Sequence, residues 1–199
     1  MWKPYFILKT LKEKLNEGDY LFYTDAGILY MDSTEKLINL LKEYHYEMWI
    51  IKTKYIEKKY SKRDAFILLG VDMPFYSESN QYMAGIQIYK KSIYTEKFLE
   101  KFLYYSQDKR IITDEPNTQG LKNYKGFREN RHDQTILSLL TKKFELFNSD
   151  KANLTLNENK EKISLIIPKL FCIYRKKKHK NYEDIRRICK QLMKKKIFT

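Results

Sequence analysis

The residues best placed to do chemistry in this chain are carboxylates that directly follow apolar runs, and the first is Asp25 in "YTDAG". Hard divalent cations take oxygen ligands and bridge phosphates, so a strand-end Asp beside the small pair Ala26-Gly27 suits a metal-assisted nucleotide site. The same residues also make an ordinary Asx turn, with Gly27 supplying a positive φ. Asp72 in "LLGVDMP" follows a second apolar run, with Pro74 closing the turn, and fits either a bound sugar or a plain turn. Arg63 and Asp64 in "SKRDAF" read as a surface pair or as helix-start charges, whereas Lys62 or Arg63 facing a cleft would clamp a phosphate.

A denser group stands in "ENRHDQTILSLL", where Arg131, His132, Asp133 and Gln134 precede a strongly apolar run. A helix start needs one capping residue, and four polar side chains exceed that need. Asp133 and Gln134 combine an acceptor with an amide that both donates and accepts, which suits sugar hydroxyls, and the helix N-terminal field keeps the Asp ionised. The competing reading is a cap with solvated neighbours. His132 either titrates near neutrality or bonds a loop carbonyl. His45 reads as structural or surface, His179 as a solvated residue among lysines, and Trp2 and Trp49 as core anchors. There is no P-loop, no GxGxxG, no GxSxG and no Cys and His cluster.

The elements that must position these residues follow from periodicity. "KPYFILKTLKEKLNEG" predicts a helix with Pro4 in its first turn, Ile7, Leu8, Leu11 and Leu15 on one face, and Gly18 as the stop. "DYLFYT" predicts a buried strand, and Ser33 caps a helix that turns Leu37, Leu40, Leu41 and Tyr44 inward. Strands are expected at "EMWIIKT", "YMAGIQIYK", "KFELFN" and 164–173, and Gly85 inside the second marks a bulge or a close backbone approach. Helices are expected at "SKRDAFILLG", "TEKFLEKFLYYSQ" and 131–142, with a long loop from Asp108 to Asn130. This alternation predicts an α/β layered domain, 1–174, with a mostly parallel central sheet flanked by helices, and a basic helical tail, 175–199. Ligands of such sheets bind beyond the carboxyl ends of strands, which places Asp25 at a cleft.

Composition bounds the class. With 199 residues, 43% hydrophobic and 15% aromatic, the chain can bury one sizeable core. Two cysteines, Cys172 and Cys189, favour a reducing, cytoplasmic setting over a disulfide framework. No stretch approaches the roughly 18 uninterrupted apolar residues of a spanning helix, and no signal peptide is legible. Of the net charge of +14, the segment 175–196 carries 11 Lys and Arg against 2 acidic residues, leaving 28 against 23 elsewhere. That tail fits an anionic membrane surface better than nucleic acid, although both remain alternatives to an enzyme.

Six stretches in order, "WKPYFILKTL", "GDYLFYTDAG", "KRDAFILLGVD", "QYMAGIQIYKKS", "IITDEPN" and "FRENRHDQTILSLL", resemble a family of bacterial and viral glycosyltransferase-like proteins associated with capsule or surface polysaccharide synthesis. The match runs from Trp2 to Leu140, about two-thirds of the chain. The resemblance implies a GT-A type, Rossmann-like domain that uses a nucleotide-sugar donor, a glycan or lipid-linked acceptor and a divalent cation, Mn²⁺ or Mg²⁺. It assigns Asp25 to the metal and donor diphosphate. Gly27 stands where the second Asp of a DxD motif would be, so one ligand is absent or supplied elsewhere. It also implies that Asp133 and Gln134 contact donor sugar or acceptor, and Gly27, Arg63, Asp64, Gly85 and His132 are the further donor- or acceptor-binding candidates that the sequence offers. If the transfer inverts configuration, Asp133 or Asp72 is the available base, while a retaining transfer stays equally open, and the resemblance makes His179 a candidate late metal ligand. Relatives carry a further segment before the "WKP" stretch, so a truncated, inactive or partner-dependent transferase is the competing expectation.

Overall fold

A computed structural model of the chain describes residues 2–147 and 171–173. In chain order its elements are α1 (Trp2–Lys14), β1 (Tyr20–Thr24), β2 (Ile28–Tyr30), α2 (Glu35–Glu43) and β3 (Met48–Ile56). Three short helices follow, α3 (Glu57–Tyr60), α4 (Arg63–Leu68) and α5 (Pro74–Ser77), then β4 (Asn80–Lys90), α6 (Ile93–Tyr105), α7 (Lys109–Ile112), α8 (Asp133–Phe147) and β5 (Phe171–Ile173).

The fold is mixed α and β, but the expectation of a mostly parallel sheet is corrected. The larger sheet has three strands in the order β1-β4-β3, and β3 pairs antiparallel with β4 from Met48↔Tyr89 onward. A second sheet pairs β2 with β5, also antiparallel, Ile28 opposite Ile173. The physical reason lies between β3 and β4. A parallel return needs a crossover that carries the chain back to the starting end of the sheet. Here three short helices turn the chain round at the end of β3, where Ile56 already lies opposite Asn80.

The chain divides into two compact units, one of Met1–Tyr23 with Glu47–Lys151, the other of Thr24–Tyr46 with Ala152–Thr199. The expected boundary at 174/175 and the basic tail lie outside the described residues. In the first unit the core is made by Ile7, Leu8 and Leu11 of α1, Phe98, Leu99 and Phe102 of α6, and Ile136, Leu137, Leu139 and Leu140 of α8, with Ala84 and Tyr89 of β4. Each fully buried Leu, Ile or Phe side chain among them contributes about 1.5–3 kcal/mol. In the second unit α2 buries Leu37 and Leu41; its N-cap is Thr34, which makes no side-chain cap bond, and Ser33, expected as the cap, stands one residue earlier with its hydroxyl accepting the Glu35 N–H at 3.2 Å.

Two further expectations change. "KFELFN" is not a strand: α8 runs on to Phe147, because Phe144 packs edge-on against Phe98 at 5.1 Å and Lys143 donates to the Leu69 carbonyl at 2.6 Å. Those contacts require helical spacing from the core face and override the local strand preference. Trp2 is no core anchor, being 63% exposed beside the exposed Tyr5 and Phe6. Among the described residues no helix is long and apolar enough to cross a membrane.

Candidate functional site

Register along β4 explains the polar start of α8. Two steps on β3, Ile50 to Lys52, oppose five on β4, Gln87 to Tyr82, so β4 bulges between these points with Gly85 inside. A bulge takes backbone groups out of the ladder, and side chains satisfy them here. The Ala84 N–H donates to Gln134 Oε1 at 3.2 Å, while the Ala84 carbonyl accepts from Gln87 Nε2 at 2.7 Å and from Lys3 Nζ at 3.4 Å. Gln134 Nε2 in turn donates to Gln81 Oε1 at 2.7 Å. Both ends of the Gln134 amide therefore hold α8 to β4.

Asp133 opens α8 and places Oδ2 2.6 Å from Lys3 Nζ. Lys3 also lies 5.3 Å from the Tyr23 ring centroid, so one ammonium touches the end of β1, the bulge of β4 and the start of α8. Among the described residues the polar contacts of Asp133 are all at Oδ2, and the side chain keeps 28% exposure. His132 sits just before it at φ +47°, a conformation unusual for a residue with a Cβ, with Nε2 3.1 Å from Asp114 Oδ1.

Asp72, Arg63 and Asp64 form a second group, on the segment before β4 and at α4. Arg63 binds Asp72 through both Nε, 2.8 Å, and Nη2, 2.9 Å, and its guanidinium lies 3.8 Å from the Tyr124 ring centroid. The Tyr124 hydroxyl donates to Asp72 Oδ1 at 2.6 Å. Burial, and then that bond to a carboxylate, pushes the Tyr124 hydroxyl above its ordinary range. Asp64 is fully buried and accepts from Thr118 N and Oγ1 and from Gln119 N. Lys62 Nζ donates to the Glu115 carbonyl at 2.6 Å. The long loop is thus pinned from residues 62–64, and these side chains organise backbone.

Asp25 lies past the end of β1 in a turn closed by the Ile28 N–H to the Asp25 carbonyl at 2.9 Å, and it is exposed together with Gly27. Asp25 and Gly27 belong to the second unit and the other described candidates to the first. His179 lies outside the described residues. Among the described residues no three His, Cys, Asp or Glu side chains converge as a metal site would require.

Sequence reasoning missed a deeper network. Glu57 is fully buried and accepts from Ser61 Oγ at 2.6 Å, Gln81 Nε2 at 3.1 Å, Ser138 Oγ and Lys142 Nζ, with Lys142 itself nearly buried. In "YIEKKY" this Glu looks like any surface charge, and no local signal marks it. Also missed was an open groove of about 570 Å³ with Leu68, Tyr104, Tyr105, Asp108 and Arg110 in its lining. The Asp108 carboxyl is held below its usual range by hydrogen bonds from Arg110. Its folded value lies below the unfolded one, so it contributes stability above about pH 4 that is lost as pH falls through the lowered value. Urea denaturation of wild type and Arg110→Gln will accordingly differ at neutral pH and converge in acid; a gap that stays constant down to acid pH would assign the effect to packing.

No protein-family model, curated protein or solved structure matches this chain.

Proposed function

We propose that the chain is a GT-A type glycosyltransferase that moves a sugar from a nucleotide-sugar donor to a hydroxyl of a glycan or lipid-linked acceptor in surface polysaccharide synthesis. The observation that carries this reading is Asp25, exposed directly beyond the carboxyl end of β1, within the second stretch of the family resemblance. In an inverting transfer the acceptor oxygen attacks the anomeric carbon, its proton passes to a carboxylate, and the bond to the diphosphate breaks with its electron pair on the leaving group. Of the two candidate bases, Asp72 has both oxygens engaged by Arg63 and Tyr124, whereas Asp133 has Oδ1 available. Asp133 is therefore the base we assign.

The resemblance implies Mn²⁺ or Mg²⁺, yet the described donors do not gather into a cation site, so no step is routed through a metal. The cationic segment 175–196 is proposed to hold the protein, in the cytoplasm, at the inner face of an anionic membrane where lipid-linked acceptors lie. A second reading, an inactive remnant of such a transferase, is favoured by one observation: Gln134 is taken up entirely by Gln81 and Ala84.

Donor hydrolysis across a panel of nucleotide sugars, with and without Mn²⁺, separates the two. Activity is expected, with a loss of about 100-fold or more in Asp25→Asn. Equal rates in wild type and Asp25→Asn remove Asp25 from the mechanism, and no turnover of any donor leaves the remnant.

A further inference from the structure

Beyond the carboxylates, one cluster of cations is built in a way that surface charge alone does not require. The guanidinium carbon of Arg131 lies 4.1 Å from the Tyr60 ring centroid and 4.3 Å from that of Tyr55. The two rings are themselves 5.0 Å apart at 66°, so Arg131 is held by an aromatic pair. Arg128 Nη1 donates to the Tyr60 hydroxyl at 3.3 Å. Both backbones are fixed to the same short helix: the Arg128 N–H donates to the Lys59 carbonyl at 2.9 Å and the Arg131 N–H to the Tyr60 carbonyl at 3.0 Å. The residue that follows, His132, is in the left-handed region at φ +47°, and such strain concentrates at functional positions.

The charge balance of this cluster is positive. Glu57, its neighbour in sequence, is buried with Lys142 and contributes no free negative charge. Glu129 meets Arg131 Nε at 3.2 Å from an exposed position, 60% accessible. Among the described residues the two terminal nitrogens of Arg131 have no hydrogen-bond partner, and Tyr55 keeps 38% exposure beside them. A guanidinium fixed in plane by aromatic faces loses little freedom when it forms a forked pair of hydrogen bonds, and phosphate oxygens match that fork.

We propose that Arg128 and Arg131, carried on Tyr55 and Tyr60, form a binding site for a phosphate-bearing ligand. The shared chemistry is a phosphate group with oxygens free to take the fork, and the probes that present it are a nucleoside diphosphate, a prenyl diphosphate lipid and free pyrophosphate. The site stands apart from the assignment of Asp25 and Asp133, and it holds whether or not the chain transfers sugar.

The test uses the full chain and the side-chain Nε–Hε resonances of its arginines, followed by NMR while inorganic pyrophosphate, uridine diphosphate and geranyl diphosphate are titrated separately at constant ionic strength. The Arg131 signal is expected to shift and saturate, and the tightest probe identifies the source. Arg131→Lys, which keeps the charge and loses the fork, and Arg128→Ala at an exposed position should each weaken binding about tenfold. Saturable binding that leaves the Arg131 signal unmoved places the anion elsewhere, for instance on 175–196, and overturns the proposal. So does an unchanged affinity in both variants, or no binding of any of the three probes.

Discussion

Replacing Lys142 with Met will destabilise the first unit by about 3 kcal/mol, because it leaves a carboxylate buried without its cation. Glu57 has no exposed surface, and Lys142 keeps 6%. Three neutral donors, from Ser61, Gln81 and Ser138, remain after the substitution, which sets the effect at the lower end of the range for a broken buried pair. The paired change Glu57→Gln with Lys142→Met removes both charges and keeps an amide for the same hydroxyls, so it should recover most of the loss. Urea denaturation of the wild type, both single variants and the double variant completes the cycle. A single-variant loss below about 1 kcal/mol would mean that water reaches Glu57 and screens it.

Asp64→Ala is expected to cost about 2–3 kcal/mol and to release the long loop before α8. A fully buried carboxylate there accepts three hydrogen bonds, from Thr118 N at 2.7 Å, Thr118 Oγ1 at 2.9 Å and Gln119 N at 3.2 Å. These bonds join the first turn of α4 to a stretch 54 and 55 residues later. Limited trypsinolysis read by mass spectrometry should show faster cleavage at Lys122 and Lys125, both exposed. If cleavage there is no faster, the loop is held instead by the Arg63 N–H on Asn123 and by Lys62 on the Glu115 carbonyl.

Much of the framework was legible in the sequence. The face Ile7, Leu8 and Leu11 of α1 and the face Phe98, Leu99 and Phe102 of α6 repeat at helical spacing, and both are buried as that spacing requires. Gly85 inside an apolar strand points to a bulge or a close backbone approach, and the register of β4 against β3 shifts across that position. The sheet direction was not legible, because strand and helix alternation is the same whether the intervening helices cross the sheet or merely turn the chain. The end of α8 was misread for a related reason: "KFELFN" has strand character locally, and only Phe98 and Leu69, far away in sequence, require a helix there.

The candidate site was legible in part. The polar run from Arg131 to Gln134 at the start of α8 exceeds what a cap needs, and each of the four makes a contact beyond the helix start. What periodicity could not reveal is what they meet: Gln134 closes a bulge, Asp133 meets a lysine from α1, and Arg131 enters a pair of tyrosines. A partner 130 positions away in the chain leaves no trace in local spacing.

The pairing of Glu57 with Lys142 spans 85 residues, and this has a consequence for how the chain is made. A ribosome releases β3, α3 and β4 well before α8, so the carboxylate destined for the interior has no ammonium to meet during that interval. Burial of Glu57 must wait, and the nascent chain is kept from closing early around an incomplete core. Contacts this distant in sequence slow folding, since the loop must be closed before its contacts form. The last described helix is thus the piece that brings Glu57 its cation, long after the strand and helices around that carboxylate have left the ribosome.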